Sequence, residues 1–154
     1  MNTRRLFGWV GVIAALATTA CGRPYVMARP PAFREYTESR DLRLITADGI
    51  MLKVRQTDNY PKAALGFWAD AMSTHLQEQG YATKSKLCFK TANGLDGCTL
   101  DFLVPHGAQD WVLSETLFVA DDDIYLVEVA GPYDRYTKLE KQLADSYKTF
   151  RLLH

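Results

Sequence analysis

The sequence predicts an α+β domain, an antiparallel sheet of about six strands with helices packed on it, in the order β-β-α-β-β-β-β-α. Three observations carry this. Apolar residues alternate with polar ones on either side of Asp48-Gly49. They recur at helical spacing from Leu65 to Leu76 and again from Tyr136 to Phe150. Between those helices run four stretches of strand-like pattern joined by short turns, and short joins favour antiparallel neighbours.

Met1 to Ala20 reads as an address. Arg4 and Arg5 form a cationic start, and Leu6 to Ala17 an apolar stretch of the length of a secretory signal. It is shorter than the roughly 20 residues of a membrane span. Thr18-Thr19-Ala20 then precede Cys21. Small residues directly before a cysteine at the end of an apolar stretch resemble the lipobox of bacterial lipoproteins, with one departure. Leu16 lies a place further from the cysteine than the usual leucine, and Thr18 stands there instead. The resemblance implies that the Cys21 thiol receives a diacylglyceryl group, that cleavage precedes it, and that the new amino terminus is acylated. An ordinary signal peptide cut after Ala20 is the alternative. Thr3 to Phe7 also resembles part of a twin-arginine export motif, although paired arginines are common in general-secretory signals. Gly22 is not the aspartate that retains lipoproteins at the inner membrane, so the resemblance implies the outer membrane, with the inner membrane's outer leaflet as the alternative.

Residues 21–40 are expected to be a tether. Pro24, Pro30 and Pro31 favour extended backbone and no apolar period runs through the stretch. Tyr25, Val26, Met27 and Phe33 are residues that could dock it. A single domain is expected over 41–154. Leu42 and Leu44 alternate, as do Ile50, Leu52 and Val54, and Asp48-Gly49 supplies the positive φ of a hairpin turn. The first helix starts near Pro61, buries Leu65, Trp68, Met72 and Leu76, with Ala64, Phe67 and Ala71 widening the stripe, and stops at Gly80. Strands follow at about 81–91, 97–104, 110–119 and 123–131. Several are apolar on both sides, as expected of a sheet covered on both faces. The last helix spans about 134–148, with Thr137 and Glu140 as a candidate capping box.

Asp123-Ile124-Tyr125-Leu126-Val127-Glu128, followed after a gap by Ser146-Tyr147-Lys148-Thr149-Phe150, together with this element order, resembles the PsbP-like fold. That family includes the extrinsic subunit of the photosynthetic oxygen-evolving complex, a nuclear-import factor that binds the Ran GTPase, and bacterial lipoproteins. The resemblance covers about residues 41–152 and implies a domain that acts by binding proteins. A cystatin-like or NTF2-like α+β roll is the competing fold.

With Cys21 assigned to lipid, Cys88 and Cys98 remain, bracketing a loop with Asn93-Gly94 and Asp96-Gly97. A hairpin centred near Asn93 sets them opposite each other, close enough for a disulfide in an oxidising compartment. Cys98 lies on an apolar face whereas Lys86 and Lys90 flank Cys88, a mismatch that a bulge or a sheet edge would reconcile. A redox-active pair is the alternative, without Cys-x-x-Cys spacing to support it.

His75 is expected to border the core and His106 to sit in a turn, and with His154 they form no zinc-ligand spacing. No metal or cofactor is expected. Asp121-Asp122-Asp123 reads as a solvated turn. Ser114, His106 and an aspartate can be written as a hydrolase triad, but there is no Gly-x-Ser-x-Gly, phosphate loop or His-Glu-x-x-His. A ligand pocket, if one exists between sheet and helix, is expected at Phe67, Trp68, Phe102 and Trp111.

The 154 residues carry 18 basic and 18 acidic side chains, a balance unlike that of a nucleic-acid binder. Loss of residues 1–20 removes Arg4 and Arg5 and no acid, leaving a net charge of −2. The expected function is a lipid-anchored scaffold or accessory subunit of a cell-envelope complex, not an enzyme, with other envelope proteins as partners. A periplasmic domain binding a small ligand or lipid is the alternative, and an envelope hydrolase a further one.

Overall fold

A computed structural model describes residues 22–36 and 41–153. The signal segment, Cys21 and His154 lie outside these residues. The chain folds as an α+β domain around a seven-stranded sheet, antiparallel throughout, in the order β2-β3-β4-β8-β7-β6-β5. Its strands are β2 (Phe33–Glu35), β3 (Leu42–Thr46), β4 (Met51–Asp58), β5 (Ala82–Lys90), β6 (Asp96–His106), β7 (Gln109–Val119) and β8 (Asp123–Pro132). Two short strands, β1 (Tyr25–Val26) and β9 (Arg151–Leu152), pair separately.

Two hairpin turns share one construction. Thr46-Ala47-Asp48-Gly49-Ile50 and Thr91-Ala92-Asn93-Gly94-Leu95 differ only at conservative positions. In each, the threonine amide donates to the carbonyl of the last residue, the glycine amide to the threonine carbonyl, and the last amide to the threonine hydroxyl. Gly49 and Gly94 take φ of 92° and 86°, which a side chain would resist. The threonine in each turn is buried, so its hydroxyl satisfies an amide that solvent does not reach.

Helix α1 (Leu65–Glu78) begins four residues later than the proline suggested. Asn59 organises the entry instead, with its side chain bonded to the Ala63 amide and carbonyl and to the Trp68 indole. Gly80, at φ 90°, ends the helix through bonds from its own amide to Gln77 and from the Tyr81 amide to Leu76. The buried stripe is narrower than expected. Leu65, Trp68, Ala69, Met72 and Leu76 face the sheet, whereas Ala64, Phe67, Ala71 and His75 are exposed. His75 therefore lies outside the core, its ring beside the Gln79 side-chain amide.

The single C-terminal helix expected over 134–148 is two, α2 (Tyr133–Tyr136) and α3 (Glu140–Tyr147). Amides of Lys138 and Leu139 bond three residues back, tightening the chain between them. The capping box does not form, because the Thr137 hydroxyl donates to the Asp134 carbonyl. The apolar residues keep their roles all the same, and Tyr136, Leu139, Leu143, Tyr147 and Phe150 are all buried.

Both faces of the sheet carry a core. Leu42, Leu44, Leu52, Val54, Val127 and Val129 point to the face covered by α2 and α3. Leu100, Phe102, Leu117 and Ile124 point to the face covered by α1. Trp111-Val112-Leu113 reads apolar throughout because Val112 enters one core and Leu113 the other. Helix α1 packs mainly over β5, β6 and β7, and Met51 and Arg55 of β4 stay exposed on its side of the sheet.

The stretch expected as a tether packs on the domain over the described residues 22–36. Phe33 is fully buried and Tyr25 stacks on Phe150, itself stacked on Phe118 with ring centres 4.1 Å apart. Two hydrogen bonds link Ala28 to α3 and the residues after it, one from the Ser146 hydroxyl and one to the Thr149 hydroxyl. The domain boundary at residue 41 thus moves toward the amino terminus. The reason is apolar burial: a fully buried phenylalanine contributes about 2–3 kcal/mol, enough to hold a short extended segment.

Candidate functional site

The sites expected from the sequence distribute as follows. Cys88 and Cys98 pair across β5 and β6 and are joined by a disulfide. The mismatch around Cys88 resolves at the sheet edge: Lys86 and Lys90 point to the α1 side with it, into solvent, where they meet Asp70 and Asp96. Asp121 and Asp122 form the β7–β8 turn, exposed near Lys62, and Asp123 opens β8. Ser114 and His106 do not meet. Ser114 is fully buried on the α2 side of the sheet, and His106 is exposed on the other, against the Trp111 ring. Among the described residues no three metal-ligating side chains cluster, and no helix is long and apolar enough to cross a membrane.

The expected pocket residues do not form a cavity together. Phe102 is fully buried in the α1 core and Trp68 packs beside it. Phe67 faces solvent at 55% exposure. Trp111 lies further along the same sheet face, half-buried at the end of the β6–β7 hairpin.

An apolar-walled cleft lies elsewhere, on the opposite face, between the edge strand β5 and helix α3. It holds about 480 Å³ and is walled by Leu87, Phe89, Leu143 and Ala144. Each wall follows from local pattern. On β5, residues 87 and 89 share the α3 side while 86, 88 and 90 take the other. On α3, Leu143, Ala144 and Tyr147 fall on adjoining helical positions. Phe89 reaches inward because β6 has Gly97 opposite it; a Cβ there would lie 2.7 Å from the Phe118 ring and 2.9 Å from the Phe89 ring.

The floor is polar. Asp101 accepts from the Ser85 hydroxyl at 2.6 Å and from the Tyr136 hydroxyl at 3.0 Å, and Tyr136 also lies 3.1 Å from the Ser114 oxygen. Thr99 and Thr116 bond across β6 and β7 at 2.8 Å. Burial raises the Tyr136 phenol above its ordinary range, with the Asp101 charge adding to it. Burial does the same to Tyr147, against the Thr116 hydroxyl. Both stay protonated near neutral pH, and Tyr136 donates to the carboxylate. The rim is basic: Lys84 pairs with Glu140 at 3.0 Å, the neighbouring carboxylate raising its pKa, and Lys148 stands at the far end.

A second buried carboxyl lies on the α1 side of the sheet. Glu115 of β7 is 4% exposed and directly opposes Glu128 of β8, which pairs with Arg55 at 2.9 Å. Desolvation, reinforced by Glu128 and opposed by Arg55, pushes the Glu115 carboxyl up to about 8. The sequence pattern pointed to Tyr136 only as a core residue of the last helix and gave no site role to Asp101, Leu87 or Glu115. The readable signals were a run of three polar residues, Ser114-Glu115-Thr116, inside an apolar strand, and the Lys-Leu-Cys-Phe-Lys alternation of β5.

Chemically, the cleft offers apolar surface, an open strand edge and exchangeable lysines. Asp101, Ser85 and Tyr136 are bonded to one another, as are Thr99 and Thr116, which rigidifies that part of the floor. The buried Tyr147 hydroxyl, by contrast, meets no hydrogen-bond partner among the described residues. No protein-family model and no curated protein sequence matches this chain. Solved structures do. The protein of unknown function PA94 from Pseudomonas aeruginosa superposes with a TM-score of 0.59 at 11% identity, over 83% of this chain and 96% of that one. The solution structure of cyanobacterial PsbP (CyanoP) from Synechocystis sp. PCC 6803 gives 0.57 at 12% identity, over 84% and 86%. At these identities the likeness is one of fold, and the fold is PsbP-like.

Proposed function

We propose that this chain is an exported domain, anchored to the bacterial envelope by lipid on Cys21, that serves a cell-envelope complex by holding another protein rather than by catalysis. One observation supports the reading most: the apolar-walled cleft opens beside β5, an outermost strand with no neighbour beyond it among the described residues, while the Asp101 carboxylate on its floor is already bonded to Ser85 and Tyr136. A reacting site would need convergent groups with spare bonding capacity, and Ser114 and His106 stand on opposite sides of the sheet. The cleft volume favours a second reading as well, a small apolar or lipid ligand, since about 480 Å³ lies within the usual range for such sites.

A photo-crosslinking side chain placed at Leu87 in living cells tests the first reading, with the same group at Tyr60, an exposed position in the loop before α1, as control. A reproducible protein adduct from Leu87 and none from Tyr60 supports it. Protein adducts from neither, with lipid adducts from Leu87, favour the ligand reading. Cys21→Ser tests the anchor by moving the protein from the membrane to the soluble fraction. Unchanged fractionation and gel mobility would refute lipidation.

A further inference from the structure

We propose that the partner supplies an extended segment that adds to β5 as an eighth strand, with apolar side chains toward α3 and acidic ones on the opposite side. The inference rests on the protein-holding reading above and specifies how that holding is done.

Four observations converge. First, β5 is an outermost strand of nine residues with no neighbour beyond it among the described residues. Second, the direction of its free backbone groups is fixed by register. Cys88 opposes Cys98 with Cα atoms 4.0 Å apart, the short spacing of a non-hydrogen-bonded antiparallel pair. The N–H and C=O groups of Cys88 therefore point away from β6, as do those of Lys86 and Lys90, two residues to either side. Third, Leu87 is 65% exposed, a large apolar side chain overhanging a cleft whose far wall is Leu143 and Ala144 of α3. A strand laid along β5 would place every second side chain between Leu87 and α3.

Fourth, charge separates the two faces of that added strand. On the α1 side it would lie beside Lys86 and Lys90, whose partners Asp70 and Asp96 are exposed and exchangeable. Carboxylates at alternate positions of the partner match this side, and apolar residues match the other. The same lysines oppose pairing of β5 with β5 of a second copy, which would set lysine against lysine along the edge. The occupant is thus an extended segment of another protein, alternating acidic and apolar residues, bound by strand addition.

The full chain purified in mild detergent is titrated with a capped hexapeptide alternating glutamate with leucine or valine, and with a second peptide carrying lysine for glutamate. Amide exchange is read residue by residue by NMR. Bound acidic peptide is expected to slow exchange at Lys86, Cys88 and Lys90 by tenfold or more and to leave Leu87 and Phe89, already bonded to β6, unchanged. The lysine peptide is expected to bind at least tenfold more weakly. Lys86→Pro removes an outward-facing donor without breaking the β5–β6 ladder, so it is expected to weaken binding at least tenfold while the remaining amide spectrum stays native. The double change Lys86→Glu and Lys90→Glu is expected to reverse the preference between peptides. Absence of binding, binding without slowed exchange at those three amides, or indifference to both sets of changes would overturn strand addition. None of these outcomes bears on the cellular crosslink from Leu87, so the two readings fail separately.

Discussion

Replacing Glu115 by glutamine isolates the cost of burying a carboxyl opposite Glu128, and its signature is a change in how stability depends on pH. The folded carboxyl is raised from 4.5 to about 8, chiefly by desolvation. Below about pH 4.5 the group is protonated in both folded and unfolded chains and contributes no pH dependence. Between about 4.5 and 8 the unfolded chain has released the proton and the folded chain keeps it, so stability falls as pH rises, by about 1.4 kcal/mol per unit. Above about 8 both states are ionised and the full penalty, roughly 5 kcal/mol, is in place. Between pH 5 and pH 8 the natural chain should therefore lose about 3–4 kcal/mol that Glu115→Gln retains. The glutamine keeps the shape of the side chain and removes its charge, which leaves the Arg55–Glu128 pair at 2.9 Å undisturbed. Urea unfolding at half-unit steps from pH 5 to pH 8.5 measures the difference between the two proteins, so that titrations common to both cancel. Parallel curves, or a variant that loses stability relative to the natural chain as pH rises, would refute the burial argument.

Tyr136→Phe should cost about 1–3 kcal/mol, because it strips the buried Asp101 of a donor without removing ring contacts; thermal melting checks this, and a neutral result would mean Asp101 is rehydrated through the cleft. Phe33→Ala should cost about 3–5 kcal/mol and release the amino-terminal segment, seen as faster amide exchange across β1 and β2 while β6 to β8 stay protected. Removing the disulfide with Cys88→Ala and Cys98→Ala should lower stability by about 2–3 kcal/mol through the freed loop of the unfolded chain. An unfolding midpoint unchanged in the double variant would place the bridge's effect below that entropic value.

Local pattern made most of the secondary structure readable. The Asp48-Gly49 turn, the 3.6-residue period of α1 and the two-faced apolar strands each depend on residues near one another in the chain. The hidden parts were those decided by residues far apart. Asp101 became a buried acceptor because Ser85 and Tyr136 reach it from a strand and a helix. Glu115 became a buried acid only through its register with Glu128 and the position of α1 above β7. Phe67 follows the helical period as well as Trp68 does, yet one turned to solvent and the other to the sheet, because α1 covers three strands and its contact stripe is correspondingly narrow. Aromatic residues in the amino-terminal segment gave no period to read, but Phe33 found a fully buried place beside the β3 edge.

By itself the sequence determined the order of the elements from β3 to β8, the turn positions, the opposition of Cys88 and Cys98, and the PsbP-like class. These rest on backbone periodicity and turn chemistry, which act over a few residues. Tertiary structure alone decided that β5 lies at an open edge, that α3 stands off from it by a cleft, and that the expected aromatic pocket residues are spread over α1 and the opposite sheet face. Strand order and helix placement are settled by which long-range contacts bury the most surface, and no local pattern encodes that choice.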